Sequence, residues 1–383
     1  MQIGIVGGGQ LAAMLVKACN NAKPDAEGAY QVYVLDPDPE CPAALVGGNH
    51  VPGVPATGEG YAALGAAAKL ITIDLENVSV EALAELQTSG CTIIPQPSLL
   101  IRLTDKLKQK QWMQELGIPT APFVPHDGEA LIGAEHFGFP VVQKAAKGGY
   151  DGRGVAVLHS AADNESRLRT PGYLEQFIHR KMEVSVMVAA HTNGDICAYQ
   201  PVEMVFHTGG NVLDYLVAPA RLPGDILQQA SELAVSTIKA MQGSGIFGIE
   251  MFLTEDDQLL INEISARTHN SGHYTTEACC TSQFTQQLHI LTGKPLGDAT
   301  QHTPAVMFNL LGAAGYKGDT VVEQDEALGD DDAIAIHLYG KKQCFEGRKM
   351  GHVTVTATSV DAALDKMHAI RNKILVRGAD QLV

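Results

Sequence analysis

Glu250 and Glu263 stand on either side of an acidic turn, Glu255-Asp256-Asp257-Gln258, that separates two apolar runs, 245–254 and 259–264. Those runs read as the arms of a β-hairpin. With a symmetric turn, Leu253 faces Leu260, Ile249 faces Ile264 and Glu250 faces Glu263. Like charges directly opposite one another destabilise a hairpin, so something must offset them. Two facing carboxylates with Asn262 beside one of them suit a hard divalent cation such as Mg²⁺, which takes oxygen ligands and shares its shell with phosphates. A solvated acidic hairpin with no ligand is the plain alternative.

A second constellation is FPVVQKAAKGGYDGRGVAVL. Two strands flank the loop Gly148-Gly149-Tyr150-Asp151-Gly152-Arg153-Gly154, and Lys144 ends the first strand. The N–H groups of such a loop can approach phosphate oxygens while a lysine supplies a point charge. No GK[ST] leads into a helix, so this is not a Walker A motif; a flexible hairpin turn is the alternative. In YLEQFIHRKMEVSVMV, two β segments flank a polar connector, with Glu175 before it and Glu183 after. A connector backbone could bond an adenine and a carboxylate could take ribose hydroxyls, or the stretch is an ordinary linker. Lys106 falls in the first turn of a helix that Thr104 would cap, where a cation opposes the helix dipole and suggests a partner anion.

Arg267-Thr268-His269-Asn270-Ser271-Gly272-His273 follows directly on Glu263 and its strand. Two histidines four apart on a helix could ligate zinc, but the intervening Ser-Gly argues against a helix, and anion binding by Arg267 and His269 is the better functional reading. HLYGKKQCFEGRKMGH gathers Lys341, Lys342, Arg348 and Lys349 around a turn, either to hold a phosphate monoester or as a solvated turn. The opening GIVGGGQLAAML has the outline of a dinucleotide-binding turn, whose helix N-terminus can receive any anion.

Alternating strand and helix position these groups. Strands at 3–6, 31–35 and 71–74, with helices at 11–20, 62–69 and 80–87, form a βαβ pattern and predict an open, largely parallel sheet. A helix runs from Thr104 to Gly117. Between about 122 and 190, short β segments with glycine-rich turns predict a small α+β unit. Strands and helices mix from 190 to 298, and the remainder holds strands at 334–338 and 353–356 and a helix over 360–373. The expected domains are 1–103, 104–182, 183–298 and 299–383.

At 383 residues the chain calls for two or three domains. A net charge of −16 argues against a nucleic-acid partner, which needs a basic face, but not against small phosphorylated ligands. No run approaches the roughly 18 apolar residues of a membrane span, and no basic n-region opens the chain, so the sequence reads as a cytoplasmic protein without a membrane partner. The seven cysteines form no CxxC pair, and Cys279-Cys280 read as buried thiols rather than a disulfide or zinc site.

Taken in order, these segments resemble the ATP-grasp fold: a Rossmann-like N-terminal sheet domain, a small lid with a glycine loop, then a larger mixed α/β and α+β part with two magnesium carboxylates. The strings GGGQL, DPDPECPA, ENV, GIPTAPF, GGYDGRG, APAR, NEI, RTHNSGH, TSQF and HLYGK…GRKMGH, spread over nearly the whole chain, closely resemble the 5-(carboxyamino)imidazole ribonucleotide synthetase family of purine biosynthesis. That resemblance implies carboxylation of 5-aminoimidazole ribonucleotide by ATP and bicarbonate through carboxyphosphate, in a homodimer, with Mg²⁺ as cofactor. It implies that Lys106, Lys144, the loop Gly148 to Gly154, Glu175, Gln176, Phe177, Ile178, Glu183, His207, Asn262 and Glu263 hold ATP, with Glu183 at the ribose. It places Mg²⁺ on Glu250 and Glu263. Glu76, Tyr150, Asp151, Arg153, Lys341 and Arg348 would hold the aminoimidazole ribonucleotide, the last two at its phosphate. Arg267 and His269 would sit by bicarbonate or carboxyphosphate and, with Asp151 and Arg153, carry the catalysis.

The chain departs from the family pattern at Ala12 and Ala13, where a glycine and a basic residue are usual, and at Asp74-Leu75, where an aromatic is often found. Three rival readings follow from the same residues. The opening turn with Asp36 at the end of the second strand would fit a nicotinamide-dependent oxidoreductase. Another ATP-grasp ligase would form an acyl phosphate from a carboxylic acid. A nucleotide sensor would bind without turnover.

Overall fold

The computed structural model describes residues 1–23, 28–129, 136–149, 154–207 and 212–381. The apolar run Gln2–Val6 is the central strand of a five-stranded sheet, in the order Asn49–Pro52, Gln31–Asp36, Gln2–Val6, Leu70–Ile73, Thr92–Ile93, and every pairing in it is parallel. Parallel neighbours need crossover connections. Helices Gln10–Asn21, Tyr61–Ala67 and Val80–Thr88 provide three of them. The sequence pattern missed the short helix Pro42–Leu45 and the strand Asn49–Pro52.

The triple-glycine turn is closed by the protein itself. The N–H groups of Gly9 and Ala12 donate to the two carboxylate oxygens of Asp74, each at 2.7 Å, and Gly8 N–H donates to Asp36 Oδ2 at 2.9 Å. A Cβ on Gly9 would lie 2.5 Å from Asp74 Oδ2, and one on Gly8 would lie 2.4 Å from Cys41 Sγ. These glycines admit internal carboxylates. The expectation that this helix N-terminus receives a ligand anion is therefore corrected, because Asp74 already occupies it and Asp36 is turned inward beside it.

The helix expected from Thr104 to Gly117 is present as Lys106–Glu115, and a helix that the sequence pattern missed precedes it. Pro97 opens the helix Pro97–Leu103, whose C-terminal cap is Thr104. Asp105, not Thr104, caps the next helix, Lys106–Glu115, accepting from Lys108 N–H at 3.1 Å. A four-stranded antiparallel sheet follows, ordered Phe123–His126, Gly172–Gln176, Val141–Ala145, Val155–Leu158. Its small core is Val141, Leu158 and Leu174.

The largest sheet has nine antiparallel strands. Its spatial order is Leu259–Ser265, Gly245–Thr254, Arg180–Ala190, Val202–Phe206, Leu213–Ala218, Ala305–Leu311, Lys349–Thr356, Ile334–Leu338, with Ile196–Ala198 also on Arg180–Ala190. Strands from beyond residue 299 thus extend the same sheet that begins at 180. Val184, Val186 and Val188 pack under helix Gly224–Met241, while Met187 and Ala189 face helix Gln283–Thr292. The strand expected at 353–356 begins at Lys349, and the helix expected over 360–373 ends at Ile370 with a 3₁₀ turn, Arg371–Lys373, behind it. Cys279 is buried as expected, but Cys280 is exposed. Among the described residues, no helix is long and apolar enough to cross a membrane.

Candidate active site

The acidic turn is tighter than a symmetric reading allows. Thr254 N–H donates to Gln258 O at 2.9 Å, which leaves Glu255, Asp256 and Asp257 as a three-residue loop with Asp257 in the left-handed region at φ 58°. Leu253 therefore faces Leu259 instead of the expected Leu260, and Met251 faces Ile261. A β-bulge then inserts Asn262. Beyond it Glu250 faces Glu263 and Ile249 faces Ile264. Side-chain alternation steps over the bulge: Ile261 and Ile264 are both in the core, while Asn262 and Glu263 lie partly buried on the face that carries Glu250.

Cations crowd this face. Lys106 Nζ pairs with Glu263 Oε2 at 2.7 Å, and Lys144 Nζ donates to Asn262 Oδ1 at 2.7 Å. The cost of a lysine in the first turn of its helix is thus offset by a protein carboxylate. Burial drives the Glu250 carboxyl up to about 8, with Glu263 and Glu183 adding to the shift. Glu263 feels the same burial, but Lys106 and then Lys144 outweigh it and hold Glu263 below the usual carboxylate range. The two carboxylates thus titrate as a pair, with Glu250 shifted up and Glu263 shifted down.

This hairpin is not a solvated acidic surface. Its donor set of two carboxylates and an amide oxygen fits a hard divalent cation. Among the described residues no three histidine, cysteine or acidic side chains converge to hold a metal by themselves. The residues present therefore fit a cation that brings phosphate oxygens to complete its shell.

Behind the hairpin lies a buried triad that the sequence reading missed. Glu175 takes Lys110 Nζ at 2.6 Å and Lys144 Nζ at 2.9 Å, and the Glu175 and Lys110 side chains are 2% and 1% exposed. Burial pushes the Lys110 ammonium down to about 8, although Glu175 opposes it. The expected ligand role of Glu175 is corrected to this extent: its carboxylate is spent on two lysines, so only its backbone could face a nucleotide. Gln176 ends its strand and Phe177 and Ile178 lie in the connector, as the motif suggested. Glu183 sits inside the following strand and pairs with Arg180 at 2.6 Å. His207 Nε2 lies 3.4 Å from Asp214, which a bidentate Arg371 also holds.

Gly148 and Gly149 follow the strand Val141–Ala145, and Gly154 closes the loop base by accepting from Ala145 N–H at 2.8 Å. Tyr150, Asp151, Gly152 and Arg153 lie outside the described residues. Arg267 Nε meets Glu76 Oε1 at 3.3 Å, so the N-terminal sheet domain reaches the hairpin. His269 Nε2 points at Glu250 Oε1 from 3.6 Å. Zinc at His269 and His273 has no geometric support, because His273 is fully buried, stacked on His352 at 4.5 Å and bonded through Nδ1 to Gln283.

The chain matches three family models: a ribonucleotide synthetase pre-ATP-grasp domain over residues 1–103, an ATP-grasp domain over 111–284, and a phosphoribosylaminoimidazole carboxylase C-terminal domain over 305–366. It is 36% identical over 360 residues to the N5-carboxyaminoimidazole ribonucleotide synthase of Synechococcus elongatus, covering 92% of this chain and 89% of that protein. The chain belongs to the N5-carboxyaminoimidazole ribonucleotide synthase family.

Solved structures of the family superpose closely. The Thermotoga maritima synthetase matches with a TM-score of 0.89 at 38% identity, over 98% of this chain and 99% of that one. The Aspergillus clavatus synthase, crystallised with ADP and 5-aminoimidazole ribonucleotide, matches at a TM-score of 0.85 and 31% identity over 97% of each chain. The chain spans 65% of the length of the Schizosaccharomyces pombe phosphoribosylaminoimidazole carboxylase, to which it is 34% identical.

Within this synthase-family fold, the basic turn docks against the N-terminal domain. Lys342 pairs with Glu40, Lys341 Nζ donates to Lys349 O at 2.7 Å, and Arg348 donates to Gln343 O at 2.6 Å while stacking on Phe345. The supports of the site escaped the sequence reading. Gln109 exchanges hydrogen bonds with the backbone N–H and C=O of Ile264, at 2.8 Å each, and so pins the edge strand of the hairpin. Lys106, Gln109, Lys110 and Met113 recur at helical core spacing, and the middle two are polar and buried. Buried polar residues on that stripe were the available signal.

Proposed function

We propose that the chain carboxylates 5-aminoimidazole ribonucleotide to 5-(carboxyamino)imidazole ribonucleotide, using ATP and bicarbonate through carboxyphosphate, in de novo purine biosynthesis. The observation that carries this reading is the bulged hairpin, with Glu250, Asn262 and Glu263 on one face and Lys106 and Lys144 against them. Glu250 and Glu263 would hold Mg²⁺, which supplies charge neutralisation to the phosphates when bound.

Lys106, Lys144 and the loop Gly148 to Gly154 bind the triphosphate, and Glu183 takes the ribose. Phosphoryl transfer asks for positioning and charge compensation, which these residues provide. A bicarbonate oxygen bonds to the γ-phosphorus as the bond to the β,γ-bridging oxygen breaks, releasing ADP. The exocyclic amine of the ribonucleotide then forms a C–N bond to the carboxyphosphate carbon, or to the CO₂ it releases. Phosphate leaves and the amine loses a proton. Arg267 and His269 hold the bicarbonate or carboxyphosphate oxygens. Glu76, Tyr150, Asp151 and Arg153 hold the aminoimidazole ribonucleotide, with Lys341 and Arg348 at its phosphate. We place the enzyme in the cytoplasm as a homodimer.

ADP release measured with and without 5-aminoimidazole ribonucleotide and bicarbonate tests the reading. Strong dependence on both is expected. Equal ADP release without either would refute the substrate assignment.

A further inference from the structure

His269 is held from every side. Its ring packs on Gly248, where a Cβ would lie 2.7 Å from His269 Cβ. Its backbone is clamped by Gln283, which accepts from His269 N–H and donates to His269 O, each at 2.9 Å. The residue also caps the 3₁₀ turn Asn270–Gly272 through its own side chain, with Ser271 N–H directed at Nδ1 from 3.4 Å. Ser271 Oγ lies 2.8 Å from the same Nδ1 and 2.7 Å from Ser185 Oγ.

These contacts fix where the proton sits. A backbone N–H can only donate, so the Nδ1 it faces carries a lone pair. An imidazole with a bare Nδ1 is neutral and has its single proton on Nε2. Ser271 Oγ–H then donates to Nδ1, and its oxygen accepts from Ser185 Oγ–H; Met187 Sδ, at 3.7 Å from Ser271 Oγ, is the weaker acceptor. Ser185 stands opposite Glu250 in the strand register, so the chain of hydroxyls starts on the strand next to the acidic hairpin. Nε2–H is left aimed at the space beside Glu250.

We propose that Ser271, seated on Ser185, is a positioning residue that fixes His269 as the Nε2–H tautomer, so that His269 meets the anionic substrate as a hydrogen-bond donor and not as a base. The identity of that anion as bicarbonate or carboxyphosphate rests on the function proposed above; the hydrogen-bond chain does not. A donor there stabilises negative charge on the oxyanion during both bond-forming steps, whereas a bare Nε2 would repel it.

The test is ¹⁵N NMR of the full chain labelled at histidine, with His269 assigned by comparison with His269→Asn, together with kinetics of Ser271→Ala. The wild-type His269 resonances should show a protonated Nε2 and an unprotonated Nδ1. In Ser271→Ala the shorter hydroxyl bond at 2.8 Å is lost and only the long 3.4 Å backbone N–H contact still favours the bare Nδ1, so the two tautomers should mix. The bicarbonate KM should rise about 3- to 10-fold, the equivalent of one neutral hydrogen bond, while the ATP KM stays within about twofold. A protonated Nδ1 in the wild type overturns the proposal without any variant having to fold. An Nε2–H tautomer undisturbed by Ser271→Ala overturns the role of Ser271. Mixed tautomers in the variant with an unchanged bicarbonate KM would overturn bicarbonate as the anion His269 serves.

Discussion

Replacing Glu175 by Gln should unload the buried triad, and the size of the effect should depend on pH in a calculable way. Glu175 is the shared counter-ion of Lys110 and Lys144, and burial already lowers Lys110 to about 8. Without the carboxylate, Lys110 falls further and discharges at neutral pH. That discharge caps its share of the loss. Its proton is held about one unit above pH 7, so giving it up there costs about 1.4 kcal/mol. Lys144 keeps Asn262 Oδ1 but loses the carboxylate it is paired with in a nearly closed site. Together the loss at pH 7 should reach about 3 kcal/mol, the lower part of the range for breaking a buried ion pair. At pH 9 the wild-type Lys110 is itself largely neutral, so the gap between wild type and variant should shrink by about 1.4 kcal/mol. Urea unfolding followed by Trp112, the single tryptophan, reads this out from within the same helix as Lys110. In a Lys110→Met background the pH dependence of the gap should disappear. A loss below about 1 kcal/mol at pH 7, or one equally large at pH 9, would refute the triad as described.

Other expected outcomes are as follows. Glu263→Gln and Lys144→Ala should each abolish ATP turnover and leave the far-ultraviolet dichroism native; robust ADP production by Glu263→Gln would defeat the magnesium assignment. Asp74→Ala should cost about 2–4 kcal/mol by removing two charge-assisted bonds at the first helix, and a thermal midpoint equal to wild type would show that water replaces them. Burial holds His273 down to about 3, against an ordinary value of 6.5, so the folded chain binds fewer protons than the unfolded one between those limits. Stability should therefore fall as pH drops below 6.5, by about 2 kcal/mol from this ring alone by pH 5; urea midpoints at pH 7 and 5 measure it, and His273→Asn should flatten the slope.

The facing glutamates were legible in the sequence, but through two offsetting deviations. The turn holds three residues rather than four, because Asp257 adopts a left-handed conformation, and that shift alone would set Glu250 opposite Asn262. The bulge at Asn262 moves the register back. Neither local feature leaves a mark in hydrophobic alternation, which sees only that Ile261 and Ile264 are apolar. The parallel N-terminal sheet was legible because its strands are continuous apolar runs separated by helical spacing. The closure of the glycine turn was not, because Asp74 is distant in sequence and its role depends on which strand ends beside which. Thr104 was misread because Ser, Thr and Asp are all good caps, and it is the adjacent Asp105 whose carboxylate accepts from the free Lys108 N–H.

The bulge also changes how the hairpin would respond to a deletion. Losing one residue from a strand ordinarily turns every following side chain to the wrong face. Here the extra residue points outward between two inward isoleucines, so removing Asn262 would join Ile261 to Glu263 and restore a regular ladder. Glu250 would still stand opposite Glu263, and Ile261 and Ile264 would keep their places. The strand thus carries the Asn262 amide as a spliced-in side chain, separable from the core by a single codon, at a point where sequence length and side-chain frame are uncoupled.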